Sequence, residues 1–218
     1  MQEGMKIACS WSGGKDSCYS LMKAIEKGAV PQAILNMMNE NGKISRSHGL
    51  PIGILQQQAA AMNLPVITVP TTWSEYQDNF INTALQLRSE YHIQAMVFGD
   101  IDLEPHREWE EMVCRKAGVQ ALLPIWQQDR RELVIEMLSQ KIEAMIVSCN
   151  DILGEPFLGR MLDLDLLPEL EAKGVDVCGE NGEFHTVVVN CPIFSSPIKI
   201  PPYTKVRHEG YHFLCWEN

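Results

Sequence analysis

Positive charge is scarce in this chain: 18 lysines and arginines stand against 28 aspartates and glutamates, a formal net charge of −10 over 218 residues. A general nucleic-acid binder needs a basic stripe to displace phosphate counterions, and no such stripe is visible, so that class is not expected. Paired cysteines are missing too. Cys9, Cys18, Cys114, Cys149, Cys178, Cys191 and Cys215 are scattered, odd in number and without a C-x-x-C pair. This excludes a disulfide framework and a zinc knuckle, and it reads as reduced, mostly buried thiols in a cytoplasmic protein. No uninterrupted apolar run approaches the ~18 residues of a membrane span, and Met1-Gln2-Glu3-Gly4 has neither a basic segment nor an apolar core. The expectation is a cytosolic chain with no membrane contact. Internal repeats and low-complexity linkers are absent as well.

What is present is an ordinary globular composition, 45% hydrophobic and 21% charged, with length enough for a sizeable core. Short apolar runs alternate with longer amphipathic stretches. The pattern predicts strands at 6–11, 32–38, 66–69, 95–98 and 120–123, and helices at 16–27, after Pro51, at 76–91, 106–117 and 131–141. That alternation is the signature of a parallel sheet covered on both faces. We therefore expect a doubly wound α/β domain over residues 1–140. From 141 to 218 the chain changes character, with predicted strands at 144–149, 175–178 and 184–190, a short helix at 167–173 and a Pro- and Tyr-rich tail. A smaller α+β domain is expected there, closing over the carboxyl edge of the sheet.

The first strand-to-helix turn reads Ser12-Gly13-Gly14-Lys15-Asp16-Ser17. In open parallel sheets this turn is the usual phosphate site. Two glycines let backbone amides approach an anion, the helix start adds its dipole, Lys15 adds a charge, and the flanking hydroxyls add donors. The spacing is neither G-x-x-x-x-G-K-[ST] nor G-x-G-x-x-G. Asp16 is the distinguishing member, because a carboxylate beside phosphates calls for a cation between them and so points to Mg²⁺ on a polyphosphate.

The loop resembles the pyrophosphate loop of the ATP pyrophosphatases, which cleave ATP between the α- and β-phosphates. Three further stretches narrow the resemblance: Phe98-Gly99-Asp100-Ile101, Pro124-Ile125-Trp126 with Asp129-Arg130-Arg131, and Cys178-Gly179-Glu180-Asn181-Gly182-Glu183-Phe184-His185-Thr186. With Leu158-Gly159-Arg160 and Leu162-Asp163, they make nearly the whole chain similar to the diphthine–ammonia ligase family. The resemblance implies a Rossmann-like fold of the adenine nucleotide alpha hydrolase type, with ATP and Mg²⁺ as cofactors. ATP would be bound by Ser10, Ser12, Gly13, Gly14, Lys15, Asp16, Ser17, Gly99 and Asp100. Catalysis would involve Lys15, Asp16, Glu180, Glu183 and His185, with Asp16 and Glu183 on the metal. Glu180 and Glu183 would hold Mg²⁺, orient the amine donor or accept its proton; a solvated acidic turn is the competing reading. His48 either contacts nucleotide or caps its loop.

The implied reaction adenylates a substrate carboxylate, releases pyrophosphate, and transfers ammonia to give an amide and AMP. One departure bears on the substrate. The amidating ligases for diphthine resemble E-G-G-E-[FY]-E-T at this motif, whereas Asn181 here replaces a glycine and His185 replaces a carboxylate. The variant is similar to a branch linked to small molecules, including a cobamide precursor, so the partner is ammonia plus a carboxylate on a small molecule or a modified residue. A tRNA-modifying enzyme and a nucleotide-binding module without turnover are the rival readings, and a homodimer is left open.

Overall fold

The computed structural model describes residues 3–217, so Met1, Gln2 and Asn218, with the part of the N-terminal reading that rests on them, lie outside the described residues. Five parallel strands form the first sheet: β1 (Lys6–Ser10), β2 (Val30–Met38), β3 (Val66–Pro70), β4 (Ala95–Val97) and β5 (Gln120–Leu122). Their order is β3-β2-β1-β4-β5, so the direction of winding reverses between β1 and β4. The helices are α1 (Lys15–Glu26), α2 (Ile52–Ala61), α3 (Tyr76–Tyr91), α4 (Glu104–Ala117) and α5 (Arg130–Ser139).

Each strand contributes alternate residues to two cores, because successive side chains point to opposite faces. Ile7 and Cys9 join a core with Leu21 and Ala24 of α1 and Leu55 and Ala59 of α2. Ala8 joins the other, with Phe80 and Leu87 of α3 and Val113 and Ala117 of α4. This is the doubly wound α/β arrangement. The helix α4 begins two residues ahead of the expected start, with Pro105 in its first turn, where a fixed φ and a missing N–H cost nothing.

The second sheet is antiparallel, in the order β7-β6-β9-β8. It comprises β6 (Glu143–Asn150), β7 (Phe184–Asn190), β8 (Tyr203–His208) and β9 (Tyr211–Trp216), with a 3₁₀ turn at Glu155–Phe157 and the short helix α6 (Leu166–Ala172). Its buried residues Ile146, Val187 and Val188 belong to the same core as α1 and α2, so the two sheets share an interior. The Pro- and Tyr-rich tail is a hairpin whose turn, Glu209-Gly210, has φ of 46° and 84°, the doubly positive geometry that twists with its strands.

One strand expectation fails. Residues 175–178 form a loop: the Asp176 carboxylate accepts from Cys178 N at 2.9 Å and pairs with Arg130. An Asx-type turn of this kind competes with a ladder for the backbone, while Val175, Val177 and Cys178 remain buried. No described helix is long and apolar enough to cross a membrane.

Candidate functional site

The Ser12–Ser17 turn sits at the carboxyl end of β1, at the switch point. Gly13 has φ of +88°, and a Cβ there would lie 2.5 Å from Leu50 Cδ1. Gly14 has ordinary backbone angles but no room, since a Cβ would meet His48 Cε1 at 2.4 Å and Thr186 O at 3.0 Å. Gly14 has no side chain with which to cap α1, and Gly14 N and Lys15 N are taken by Ser12 Oγ and Thr186 Oγ1, so it is the amides after them that the helix start can offer to an anion. Ser12 Oγ accepts from Gly14 N at 3.3 Å and lies 3.1 Å from Ser17 Oγ, which donates to Gly14 O at 3.1 Å. Gly99, just beyond β4, passes so close to the first turn of α1 that its Cβ would lie 2.7 Å from Ser17 N.

The C-terminal motif is bonded directly to this loop. Lys15 N donates to Thr186 Oγ1 at 3.1 Å, and Val188 N donates to Gly13 O at 2.9 Å. Lys15 Nζ, only 3% exposed, donates to both Asp16 carboxylate oxygens at 3.0 and 2.9 Å and to Cys178 O. Burial alone would lower its pKa, but Asp16, with Cys178 and Glu180, carries it above the usual lysine value. Lys15 therefore stays a cation.

A cleft of about 800 Å³ opens over the loop. Ser10, Ser12, Lys15, Asp16, Ser17, His48, Gly99, Asp100, Glu180 and His185 all line it, while Gly13 and Gly14 lie beneath as the turn that shapes it. Glu183, expected on the metal, is not among the residues that line it. Its carboxylate accepts from Asn181 N at 3.0 Å, Asn181 Nδ2 at 3.1 Å and Asp176 N at 3.3 Å. Those donors hold the 176–183 loop in shape. Asn181 also accepts from Arg130 Nη1 at 3.3 Å, and Arg130 grips Asp102 at 2.6 and 2.8 Å. The residue that departs from the glycine of the motif thus ties the acidic loop to the end of β4.

His48 Nδ1 lies 2.8 Å from Thr186 O, and its ring centroid is 4.7 Å from that of His185. Burial, reinforced by the Lys15 charge, depresses His48 to about 4. Burial with His48 and Lys15 depresses His185 to about 3. Both rings are neutral at pH 7, and because the Thr186 carbonyl can only accept, His48 carries its proton on Nδ1. Asp100 Oδ1 is 2.6 Å from His106 Nδ1. Burial tends to raise its pKa, but hydrogen bonds from His106 and Glu110 leave it below the usual carboxylate value. Glu180, whose Oε1 accepts from Ile101 N at 3.4 Å, is pushed up to about 7 by burial and by the charges of Asp16 and Asp100.

This crowding bears on the metal. Asp16 lines the cleft, and among the described residues no three acidic, His or Cys side chains converge as ligands, so a divalent cation would fit here only when shared between Asp16 and a bound polyphosphate. Mg²⁺ is commonly held by one or two carboxylates plus substrate phosphates, and Asp16 is the side chain that would supply the carboxylate.

Sequence reasoning missed Gln58 and Glu110. Gln58, fully buried on α2, accepts from Trp11 Nε1 at 2.8 Å and donates to Gly13 O at 3.0 Å and Val188 O at 2.8 Å. It thereby joins the loop to both sheets. Glu110 lines the cleft from α4. The signal was present in both cases: a polar residue falls on an otherwise apolar helical stripe, Leu55-Gln58-Ala59 on α2 and Glu110-Val113-Cys114-Ala117 on α4. An aromatic wall of Trp73, Tyr76 and Trp109, with centroids 5.7 and 5.6 Å apart, and Arg46 stacked on Trp73 at 4.7 Å complete the lining.

An anion-cradling loop at the switch point of a doubly wound sheet, walled by an acidic motif from a second sheet, defines a phosphate-binding α/β protein of the pyrophosphate-loop type. The chain belongs to the diphthamide synthase family: the model of the N-terminal domain of diphthamide synthase matches residues 5–121, and that of its C-terminal domain matches residues 129–216. It is 28% identical to the human diphthine–ammonia ligase over 235 residues, covering 96% of this chain and 88% of the relative. With the zebrafish (Danio rerio) diphthine–ammonia ligase it shares 26% identity, covering 96% and 91%. Among solved structures, a protein described as a predicted subunit of tRNA methyltransferase from Methanocaldococcus jannaschii aligns over 86% of this chain and 98% of its own, at 15% identity and a TM-score of 0.47.

Proposed function

We propose that the chain is an ATP-dependent, AMP-forming amide ligase that activates a carboxylate and transfers ammonia to it. The observation that carries this reading is the direct bonding of the loop to the C-terminal motif, Lys15 N to Thr186 Oγ1, with the loop and the half-buried Glu180 lining one cleft, as a polyphosphate cradle and a base would require. The activity named for relatives that align over about nine-tenths of their own length, diphthine–ammonia ligase, supports it.

In this reading the loop amides, Ser12, Ser17 and Lys15 hold the β- and γ-phosphates and stabilise charge on the departing pyrophosphate. Mg²⁺ on Asp16 would neutralise the same phosphates. The acceptor carboxylate attacks the α-phosphorus, the bond to pyrophosphate breaks, and an acyl-adenylate forms. Glu180 takes a proton from ammonium. The freed nitrogen lone pair forms the C–N bond while the C–O bond to AMP breaks, and the second proton leaves with the AMP phosphate. Glu183 orders the loop that presents Glu180.

The acceptor pocket carries a neutral His185 where diphthine ligases resemble a carboxylate. A pocket lacking that charge disfavours the quaternary cation of diphthine and favours a neutral or anionic small-molecule carboxylate, such as a cobamide precursor. The seven unpaired cysteines suit a cytoplasmic setting. The test is a pyrophosphate-release screen with ATP, Mg²⁺, ammonium and a panel of carboxylates that includes diphthine-bearing elongation factor and cobamide precursors. AMP and pyrophosphate are expected from at least one member and none from Asp16→Ala; ADP and phosphate as products would overturn the mechanism.

A further inference from the structure

Glu110 has no role in the reaction as derived so far. Only 3% exposed, it lies on the buried stripe of α4, and its Oε2 has no hydrogen-bond partner. No cation pairs with it among the described residues. Burying a carboxyl group with an unsatisfied oxygen is costly, and Glu110 is one of the residues that line the cleft. Three carboxyl groups gather here: Glu110, Asp100 between His106 and Glu110, and Glu180 across the cleft. The rings of Tyr76 and Trp109 line the same end.

We propose that Asp100, Glu110 and Glu180, beside the faces of Tyr76 and Trp109, form the binding site for the ammonium ion that the ligase consumes, a proposal that rests on the ligase reading above. Ammonium offers four N–H donors and a full positive charge, which carboxyl oxygens and aromatic faces together satisfy. A divalent metal is a poorer fit. It needs several oxygens at roughly 2.0–2.6 Å, and no three such ligands converge among the described residues. Ammonium accepts the looser spacing of hydrogen bonds, about 2.8–3.0 Å. Burial first, then the neighbouring Asp100, pushes Glu110 up to about 11, and burial with the charges of Asp16 and Asp100 pushes Glu180 up to about 7; a cation among these carboxyl groups would relieve the part of the shifts that comes from like charge. The position also suits delivery, because Glu180 belongs both to this cluster and to the wall facing the pyrophosphate loop.

The test follows thermal unfolding of the full chain with a non-hydrolysable ATP analogue and Mg²⁺, titrated with ammonium chloride against sodium and potassium chlorides at constant ionic strength. A saturable rise in Tm with ammonium alone is expected, on the order of 2–4 °C, and Glu110→Gln should weaken the apparent ammonium affinity at least tenfold. Glu110→Gln matches the shape of the protonated acid; should it fail to melt cooperatively in sodium chloride, Asp100→Asn takes its place with the same expected loss. Equal stabilisation by potassium, or an ammonium effect unchanged in the variants, would overturn the assignment. The analogue's own stabilisation, read before salt is varied, reports the nucleotide site. Its absence would sink the ligase reading, whereas its presence with no ammonium response would sink the ammonium site alone.

Discussion

Replacing Glu180 by glutamine should stabilise the protein above neutral pH while abolishing its activity. The half-buried carboxyl is held at about 7 by burial and by Asp16 and Asp100, against an ordinary 4.5. A raised carboxyl pKa means that folding favours the protonated form. The contribution is fully present below pH 4.5, declines as pH rises through the window from 4.5 to about 7, and above that leaves the folded state carrying an unfavourable ionised group. Each pKa unit corresponds to about 1.4 kcal/mol; the shift would give roughly 3 kcal/mol, and partial solvent screening reduces this to about 1–2 kcal/mol. For a chain of this size that is about 2–8 °C in Tm. The assay is differential scanning calorimetry of wild type and Glu180→Gln at pH 4 and pH 8 in the same salt. Glutamine cannot ionise, so the variant should melt higher at pH 8 and close to wild type at pH 4, while pyrophosphate-coupled amidation is lost. Because His48 and His185 titrate alike in both proteins, their effects cancel in the difference. A Tm difference independent of pH, or a variant less stable at pH 8, would refute the argument that Glu180 is crowded by like charge.

Gln58→Leu should cost about 1–3 kcal/mol, since it strands the buried Trp11 indole N–H and removes the side-chain donor from Val188 O and from Gly13 O, although Gly13 O keeps its bond from Val188 N; urea unfolding reads this directly, and a loss under 1 kcal/mol would show that the loop is held by other means. Gly99→Ala should destabilise by about 1–3 kcal/mol and weaken nucleotide binding, because its Cβ would press on the backbone of Asp16 and Ser17; isothermal titration with an ATP analogue checks it, and unchanged affinity would remove β4 from the cradle. Acid should loosen the loop. His48 and His185 have folded pKa values depressed to about 4 and 3 from an ordinary 6.5, so their neutral forms favour folding above pH 6.5 and that contribution falls away as pH drops toward 3–4. His185→Gln should flatten the acid limb of a Tm-versus-pH curve, and an identical limb would count against a buried neutral pair.

Periodicity placed the helices and strands of the first sheet within a residue or two, because apolar spacing there is set by local geometry that each segment carries in itself. Residues 175–178 show the limit: an apolar alternation became a loop once Asp176 found Arg130, a partner 46 residues away. The tail hairpin was unread for a similar reason, as its turn needs Glu209 at positive φ and glutamate gives no such signal.

Sequence alone determined that two glycines, a lysine and an aspartate would form a strand-to-helix turn suited to an anion, since amide donors, helix dipole and charge are properties of contiguous residues. It also marked the Glu180–Thr186 motif as the partner of that turn. Only the tertiary structure decided which of the two glutamates faces the cleft, because Glu183 is consumed by the backbone amides of Asp176 and Asn181 while Glu180 is not. It likewise decided that Gln58 joins the two sheets and that Glu110 stands beside Asp100. Pairings between residues 10 to 171 positions apart depend on how two sheets share one core, and no local pattern encodes that.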